Sequence, residues 1–134
     1  MKAKFSIGMI ALLIWGCSNV KQLSKTSATL TQASQDSTEY EISIIDPQFD
    51  NWYLLNYSPA KDHLKEYYRD KNNDAVINWN YYYRSGRYSK IIESLIYYQP
   101  TIDYGIEVDR KLYWYFNYIV STYKIRLFNN SPVQ

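Results

Sequence analysis

Hydrophobic and polar positions divide the chain into three regions of different character. The first is an apolar run over residues 5–15, broken only by Ser6 and Gly8, which follows a basic start. At about eleven residues it is far shorter than the roughly 20 that a membrane-spanning helix needs. A basic start followed by a short apolar segment is the pattern of a secretory signal. Residues 1–16 are therefore predicted to be a signal peptide that is removed.

The region after residue 39 shows strand-like and helix-like patterns in turn. Residues 40–45 alternate in polarity and are rich in β-branched side chains, which predicts a strand. Asp46 before a proline is a helix start signal, because the Asp side chain caps free backbone N–H groups and proline suits the first turn. Ser58 before a second proline repeats that signal, and Gly86 is placed to end the second helix.

Two further elements complete the predicted domain. Residues 91–98 are apolar and predict a second strand, which Pro100 closes. Asp103 is predicted to cap a last helix over residues 104–127. The order is strand, helix, helix, strand, helix. This predicts a small α+β domain of two strands and three helices over residues 39–130.

The segment between the apolar run and this domain differs in composition from both. Residues 17–38 are dominated by Ser, Thr and Gln and contain no aromatic side chain. Such a segment buries too little apolar surface to offset the conformational entropy that is lost on ordering. It is therefore predicted to be a flexible stalk between the domain and its anchor.

The last predicted helix carries two apolar stripes rather than one. The stripe expected to face the core consists of Val108, Leu112, Tyr115, Phe116, Ile119 and Tyr123. Trp114, Tyr118 and Ile125 lie on nearly the opposite side, where a surface helix normally meets water. We therefore predict that these three residues, with Tyr81 as a weaker member, form a contact surface for a protein partner.

Cys17 closes the predicted signal peptide. It stands in a segment that resembles the bacterial lipobox, with an aliphatic residue, Ile14, three positions before it and a small residue, Gly16, directly before it. Cys17 is the only cysteine of the chain, and lipidation accounts for a lone thiol in an exported protein. The resemblance implies a lipoprotein whose acyl chains on Cys17 hold it stably in a membrane.

The expected location of this lipoprotein is the bacterial cell envelope. Residues 18–21 carry no acidic side chain. Acidic residues directly after the cysteine are typical of Bacteroidota lipoproteins that are sent to the cell surface. We therefore expect a lipid anchor in the outer membrane, with the domain facing the periplasm.

Charge balance excludes one class of function. The precursor has 15 Lys and Arg residues against 13 Asp and Glu residues, and loss of the signal removes Lys2 and Lys4. The remaining chain is close to neutral and lacks the basic surface that nucleic-acid binding needs. No nucleic-acid partner is therefore expected.

Several stretches of the domain resemble a known group of proteins. Residues 98–108 are the most specific part, and residues 41–46, residues 49–54 and the pair Trp79-Asn80 match as well. On these residues the chain is similar to a family of small Bacteroidota lipoproteins of unknown function. The resemblance implies a lipid anchor and a shared fold, and it supplies no activity and no catalytic residue.

The chain offers few residues for metal binding. His63 and Glu66 are spaced to share a metal ion, but His63 is the only histidine and a catalytic zinc usually takes three protein ligands. Residues 70–74 begin like a calcium loop, but Ala75 and Tyr81 stand where that loop needs Gly and Glu. No metal ion, cofactor or nucleotide is therefore expected.

Three functions remain open after these exclusions. The preferred interpretation is a non-enzymatic accessory lipoprotein that binds another envelope protein. A glycan-binding module is an alternative, because all 16 tyrosines lie after residue 39 and aromatic rings stack on sugars. A hydrolase is the third. Asp103 and Glu107 are spaced to face one cleft from a helix start, although capping and the helix dipole explain both residues more simply.

Overall fold

In the computed structural model, which describes residues 24–129, two strands are followed by three α-helices. In chain order the elements are β1 (Ser27–Gln32), β2 (Tyr40–Ile45), α1 (Phe49–Asn56), a 3₁₀ turn (Pro59–Lys61), α2 (Lys65–Ser85) and α3 (Ile106–Tyr123). The predicted α+β class with two strands and three helices is confirmed, although both strands precede the helices. The predicted signal peptide and Cys17 lie outside the described residues.

The first strand lies inside the segment that was predicted to be a flexible stalk. β1 pairs antiparallel with β2, from Ser27 opposite Ile45 to Gln32 opposite Tyr40. Ala28 and Leu30 pack against the core, and Thr29 between them is exposed. The stalk prediction is therefore wrong for residues 27–32. Because the segment is rich in Ser and Thr, its alternation of apolar and polar side chains was overlooked, and that alternation is typical of a half-buried strand.

The predicted second strand at residues 91–98 is not a strand. It makes one isolated bridge, between Ile92 and Thr26. Farther along, side chains of α2 bond to the backbone of this segment. Trp79 Nε1 donates to the Ser94 carbonyl at 2.8 Å. Asn80 Nδ2 donates to the Ile96 carbonyl and Asn80 Oδ1 accepts the Ile96 N–H, both at 2.9 Å. The segment is extended and apolar because it is buried, and its backbone groups are satisfied without a neighbouring strand.

Helix α3 is the central element, with α2 on one side and α1 on the other. Its predicted main stripe is buried except at Tyr123, which is half-buried, and the Trp79 ring of α2 lies 5.8 Å from that of Tyr115 and 6.1 Å from that of Phe116. The helix ends at Tyr123, before the predicted residue 127, because Lys124 adopts a left-handed conformation with φ of 56°. The chain beyond it remains buried at Leu127.

The helix ends follow the start and stop signals only in part. Asp46 Oδ1 accepts the N–H of Gln48 at 2.9 Å just before α1. The Ser58 signal begins only the short 3₁₀ turn at Pro59, and α2 itself begins later, at Lys65. Gly86 ends α2 in the left-handed conformation, with φ of 71°, as predicted. Within residues 24–129, no helix is long and apolar enough to cross a membrane.

Candidate partner-binding site

The predicted second apolar stripe is not an exposed contact surface, because Trp114 and Tyr118 of α3 pack against rings of α1 and Ile125 is buried beyond the end of α3. Tyr118 is 1% exposed and Ile125 is fully buried. The Tyr118 ring lies 5.7 Å from that of Phe49 and 5.5 Å from that of Trp52, and its hydroxyl donates to Asp46 Oδ1 at 3.0 Å. The prediction that Tyr118 and Ile125 contact a partner is therefore wrong. α3 has two apolar sides because it packs between two helices.

The other two predicted surface residues have different environments. Trp114 is half-buried among the rings of Trp52, Tyr57 and Tyr113, at distances of 5.7 to 6.2 Å. Its indole Nε1 is buried without a hydrogen-bond acceptor among the described residues. Tyr81 is 62% exposed on the outer face of α2. Of the four predicted residues, only Tyr81 is freely available to a partner.

Aromatic rings along α1 form a stack that we call the aromatic ladder, made of Phe49, Tyr53 and Tyr57. Adjacent ring centroids are 5.7 and 5.0 Å apart, with interplanar angles of 27° and 5°. The four-residue spacing places the side chains above one another on the helix. The Arg110 guanidinium lies 5.7 Å from the Tyr57 ring centroid. The faces of these rings are therefore largely occupied from within the protein.

An ion pair fixes the loop between α1 and α2 to the central helix. Arg110 donates from Nε to Asp62 Oδ1 at 2.9 Å and from Nη2 to Oδ2 at 2.8 Å, and the Tyr68 hydroxyl also donates to Asp62 Oδ1. The hydrogen bonds from Arg110, and then the one from Tyr68, lower the pKa of Asp62 to about 2. The paired geometry is the strong form of such a contact.

The start of α2 adds a second group of rings beside this ion pair. His63 is exposed and stacks on Tyr67, with 4.1 Å between centroids and 27° between planes. The hydroxyls of Tyr67 and Tyr113 are 3.4 Å apart. No cluster of three or more His, Cys, Asp or Glu residues suited to a metal ion occurs in the described part of the chain. His63 and Glu66 are both solvated.

Three leucines between residues 54 and 64 project into solvent. Leu54 is 79% exposed, Leu55 77% and Leu64 78%, and we call these three residues the leucine surface. Lys61 Nζ donates to the carbonyl of Asn56 at 2.7 Å, which holds the end of α1 close to the loop that leads to Leu64. The leucine surface therefore belongs to one short, braced stretch of chain.

Sequence reasoning missed the leucine surface, although one signal pointed to it. α1 is a short helix whose Phe49, Trp52 and Tyr53 already face the core. Leu54 and Leu55 are next to each other, so they extend the apolar surface around the helix to its outer side. A short helix that is apolar on both sides needs a second covering surface.

The carboxylate pair considered for hydrolysis is solvated and only partly organised. Asp103 forms an ion pair with Lys65 at 2.5 Å and accepts the N–H of Gly105 at 3.0 Å, and Glu107 is exposed. The bond from Lys65, followed by that from Gly105, lowers the pKa of Asp103. A general acid requires the opposite direction. Asp103 borders an open recess of about 440 Å³ beside β2.

Comparison with known proteins places the chain in a family. The chain belongs to the family of unknown function DUF6146, whose sequence profile matches residues 5–134. The predicted similarity to a family without a known activity is thereby confirmed. No curated protein and no solved structure shows a significant match to the chain.

Proposed function

We propose that this protein is a non-enzymatic, lipid-anchored accessory protein of the bacterial envelope that binds another protein through the leucine surface. The observation that carries the proposal is the exposure of Leu54, Leu55 and Leu64, each more than three-quarters open to solvent. Isolated exposed apolar side chains are common, but several on one braced stretch are typical of a protein contact site.

The framework beneath the leucine surface supports this proposal. The ion pair between Asp62 and Arg110 and the aromatic ladder hold the loop and α1 in place before any partner arrives. A surface that is already ordered loses little conformational entropy on binding. Half-buried tyrosines and Arg110 at its border are the side-chain types that contribute most at interfaces.

The same geometry favours a protein partner over a glycan. A sugar ring stacks on the open face of an aromatic side chain, but the ladder rings of Tyr53 and Tyr57 lie against each other. The exposed side chains of the leucine surface are aliphatic, and they match an apolar protein surface. A protein partner therefore accounts for the exposed groups more directly.

The lipid anchor belongs to the proposal and rests on the lipobox resemblance at Cys17. Because Thr26 is already buried and bonded to Tyr115 and Ile91, residues 18–25 are the tether between an acylated Cys17 and the domain. A fully extended chain of that length reaches at most about 30 Å. Such a tether would keep the leucine surface close to the membrane, where envelope proteins are available as partners.

Affinity capture from the native host tests the partner surface. The full-length protein and a Leu54→Ser, Leu55→Ser double variant are each expressed with a carboxy-terminal tag and captured after mild solubilisation. We expect recovery of a discrete partner to fall at least tenfold in the variant. The melting temperature should barely change, because both side chains are already exposed.

Two matched variants make the capture decisive. Tyr97→Ser removes a highly exposed aromatic side chain elsewhere on the protein, 81% exposed, and should leave partner recovery unchanged. Tyr81→Ser tests the one predicted surface residue that is freely exposed. Equal recovery with the leucine variant and the wild type, or loss only with Tyr81→Ser, would contradict the proposed surface.

The anchor has an independent test. Replacing Cys17 by Ser removes the thiol that would carry the diacylglyceryl group. The wild type should sediment with membranes and show the mass of a chain that begins at an acylated Cys17. The Cys17→Ser variant should neither sediment with membranes nor show that mass. An intact Met1 or an unmodified Cys17 in the wild type would remove the anchor from the proposal and leave the leucine surface untouched.

A further inference from the structure

The contact between α2 and α3 contains a buried polar cluster. Asn72 of α2 and Asp109 of α3 are both fully buried, and Tyr98, from the segment between these helices, is 8% exposed. Buried carboxyl groups are costly unless they are paired or protonated. None of the contacts described for the leucine surface involves Asn72, Tyr98 or Asp109.

The hydrogen bonds of this cluster are incomplete in a specific way. Tyr98 donates from its hydroxyl to Asp109 Oδ1 at 2.9 Å, and Asn72 Nδ2 donates to the backbone carbonyl of Asp109 at 2.8 Å. Asp109 Oδ2 and Asn72 Oδ1 remain without a partner among residues 24–129. Both atoms are acceptors when Asp109 is ionised, so they cannot satisfy each other.

The neighbouring cations are engaged elsewhere and do not neutralise Asp109. Arg69 of α2 donates to the carbonyl of Pro100, and Lys65 of α2 pairs with Asp103. Burial raises the pKa of Asp109, while the bond from Tyr98 and the charges of Arg69 and Lys65 lower it and Asp103 raises it further. The net direction is upward, toward the protonated acid.

We infer that Asp109 carries a proton in the folded protein, at pH values where exposed aspartates have lost theirs, and donates it from Oδ2 to Asn72 Oδ1. One proton then turns an acceptor into a donor and satisfies both orphaned oxygens with a single hydrogen bond across the helix contact. Loss of that proton leaves two buried acceptors without a donor and a buried charge. The contact between α2 and α3 is therefore a pH-sensitive latch.

The direction of the pH effect follows from proton linkage. In the unfolded chain Asp109 ionises near the ordinary aspartate pKa of about 3.9. Between that value and its higher pKa in the folded protein, the folded state binds the extra proton, so the folding equilibrium constant falls about tenfold per pH unit as the pH rises. Above the folded-state pKa the loss is complete, and below about 3.9 the latch is fully formed.

Carbon-13 NMR of the full-length wild type tests the inference without any substitution. The side-chain carboxyl carbons of Asp are labelled and followed through a pH titration, and the Asp109 signal is assigned by its absence in Asp109→Asn. We expect a midpoint at least one pH unit above about 3.9, or no ionisation before unfolding. A midpoint at or below the ordinary value would overturn the inference.

The stability of variants gives a second readout. Asp109→Asn keeps the shape of the side chain and offers a permanent donor to Asn72 Oδ1. Its folding constant relative to wild type should rise at least tenfold between about pH 4 and pH 7, whereas the exposed control Asp70→Asn should show no such rise. A ratio that stays constant across this range would contradict the latch. If Asp109→Asn fails to fold, the Asp109 carboxyl signal is assigned in the wild type by sequential backbone correlations. The wild-type titration then tests the inference without the variant.

Discussion

Arg110 and Asp62 are joined by two hydrogen bonds of 2.9 and 2.8 Å, which connect the central helix to the loop that leads to Leu64. Their side chains are 18% and 30% exposed. The pair is therefore partly shielded from water and yet close enough to the surface to be screened by salt. It links the stability of the core to the position of the proposed binding surface.

Breaking this ion pair should loosen the loop more than it destabilises the domain. We expect Asp62→Asn and Arg110→Met each to lower the free energy of unfolding by about 1 kcal/mol, because an ion pair near the surface contributes little. A double-mutant cycle should give a coupling of similar size. Additive effects of the two substitutions, in urea unfolding at low salt, would show that the pair carries no coupling.

The same pair predicts a specific acid response. Arg110 and Tyr68 hold the pKa of Asp62 at about 2, below the ordinary aspartate value of about 3.9, so this contribution to stability is present above about 3.9 and is lost as the pH falls toward about 2. Asp62→Asn should remove that part of the acid destabilisation. An unchanged difference in stability between wild type and Asp62→Asn from neutral pH to about pH 2 would contradict it.

Tyr118 should behave as a core residue. Tyr118→Ala is expected to cost about 3 to 5 kcal/mol, because a large fully buried ring is deleted beneath α1. Tyr118→Phe should cost about 1 to 2 kcal/mol, since Asp46 Oδ1 loses only the hydroxyl donor. Chemical unfolding followed by tryptophan fluorescence measures both. Equal stability of the Tyr118→Ala variant and the wild type would show that Tyr118 is not a core residue.

Asn80 should hold the extended segment before α3. Asn80→Ala removes both hydrogen bonds to the Ile96 backbone and is expected to cost about 2 kcal/mol. Amide hydrogen exchange of Ile96 should become faster in the variant. Asn73→Ala on the same helix is the control, and it should leave that amide unchanged. Unaltered exchange at Ile96 in Asn80→Ala would show that its backbone is held by other contacts.

Periodic patterns in the sequence predicted most of the helices and one strand. β2, the Gly86 stop and the main stripe of α3 are local features, set by side-chain spacing and by backbone preference. β1 was missed because composition was weighed above the alternation of Ala28 and Leu30. The false strand at residues 91–98 arose because burial, which the sequence does show, does not reveal whether a backbone pairs with a strand or with side chains of α2.

The candidate site depended on tertiary placement that the sequence could not supply. The second stripe of α3 was recognised correctly as apolar, but whether water, a partner or α1 covers it depends on how the helices pack. Leu54 and Leu55 became exposed for the same reason, because α1 turned its aromatic side toward Tyr118. A surface of this kind is what remains after the core contacts have been formed.

Site-specific photo-crosslinking in living cells tests the proposed partner surface most directly. A photoreactive amino acid is introduced in place of Leu55, and in a separate strain in place of Tyr97, and the host cells are irradiated. We expect a discrete higher-mass product from the Leu55 position and none from the Tyr97 position. A product from the Tyr97 position alone, or none from the Leu55 position with the protein at its native level, would contradict the proposal that the leucine surface binds a protein partner.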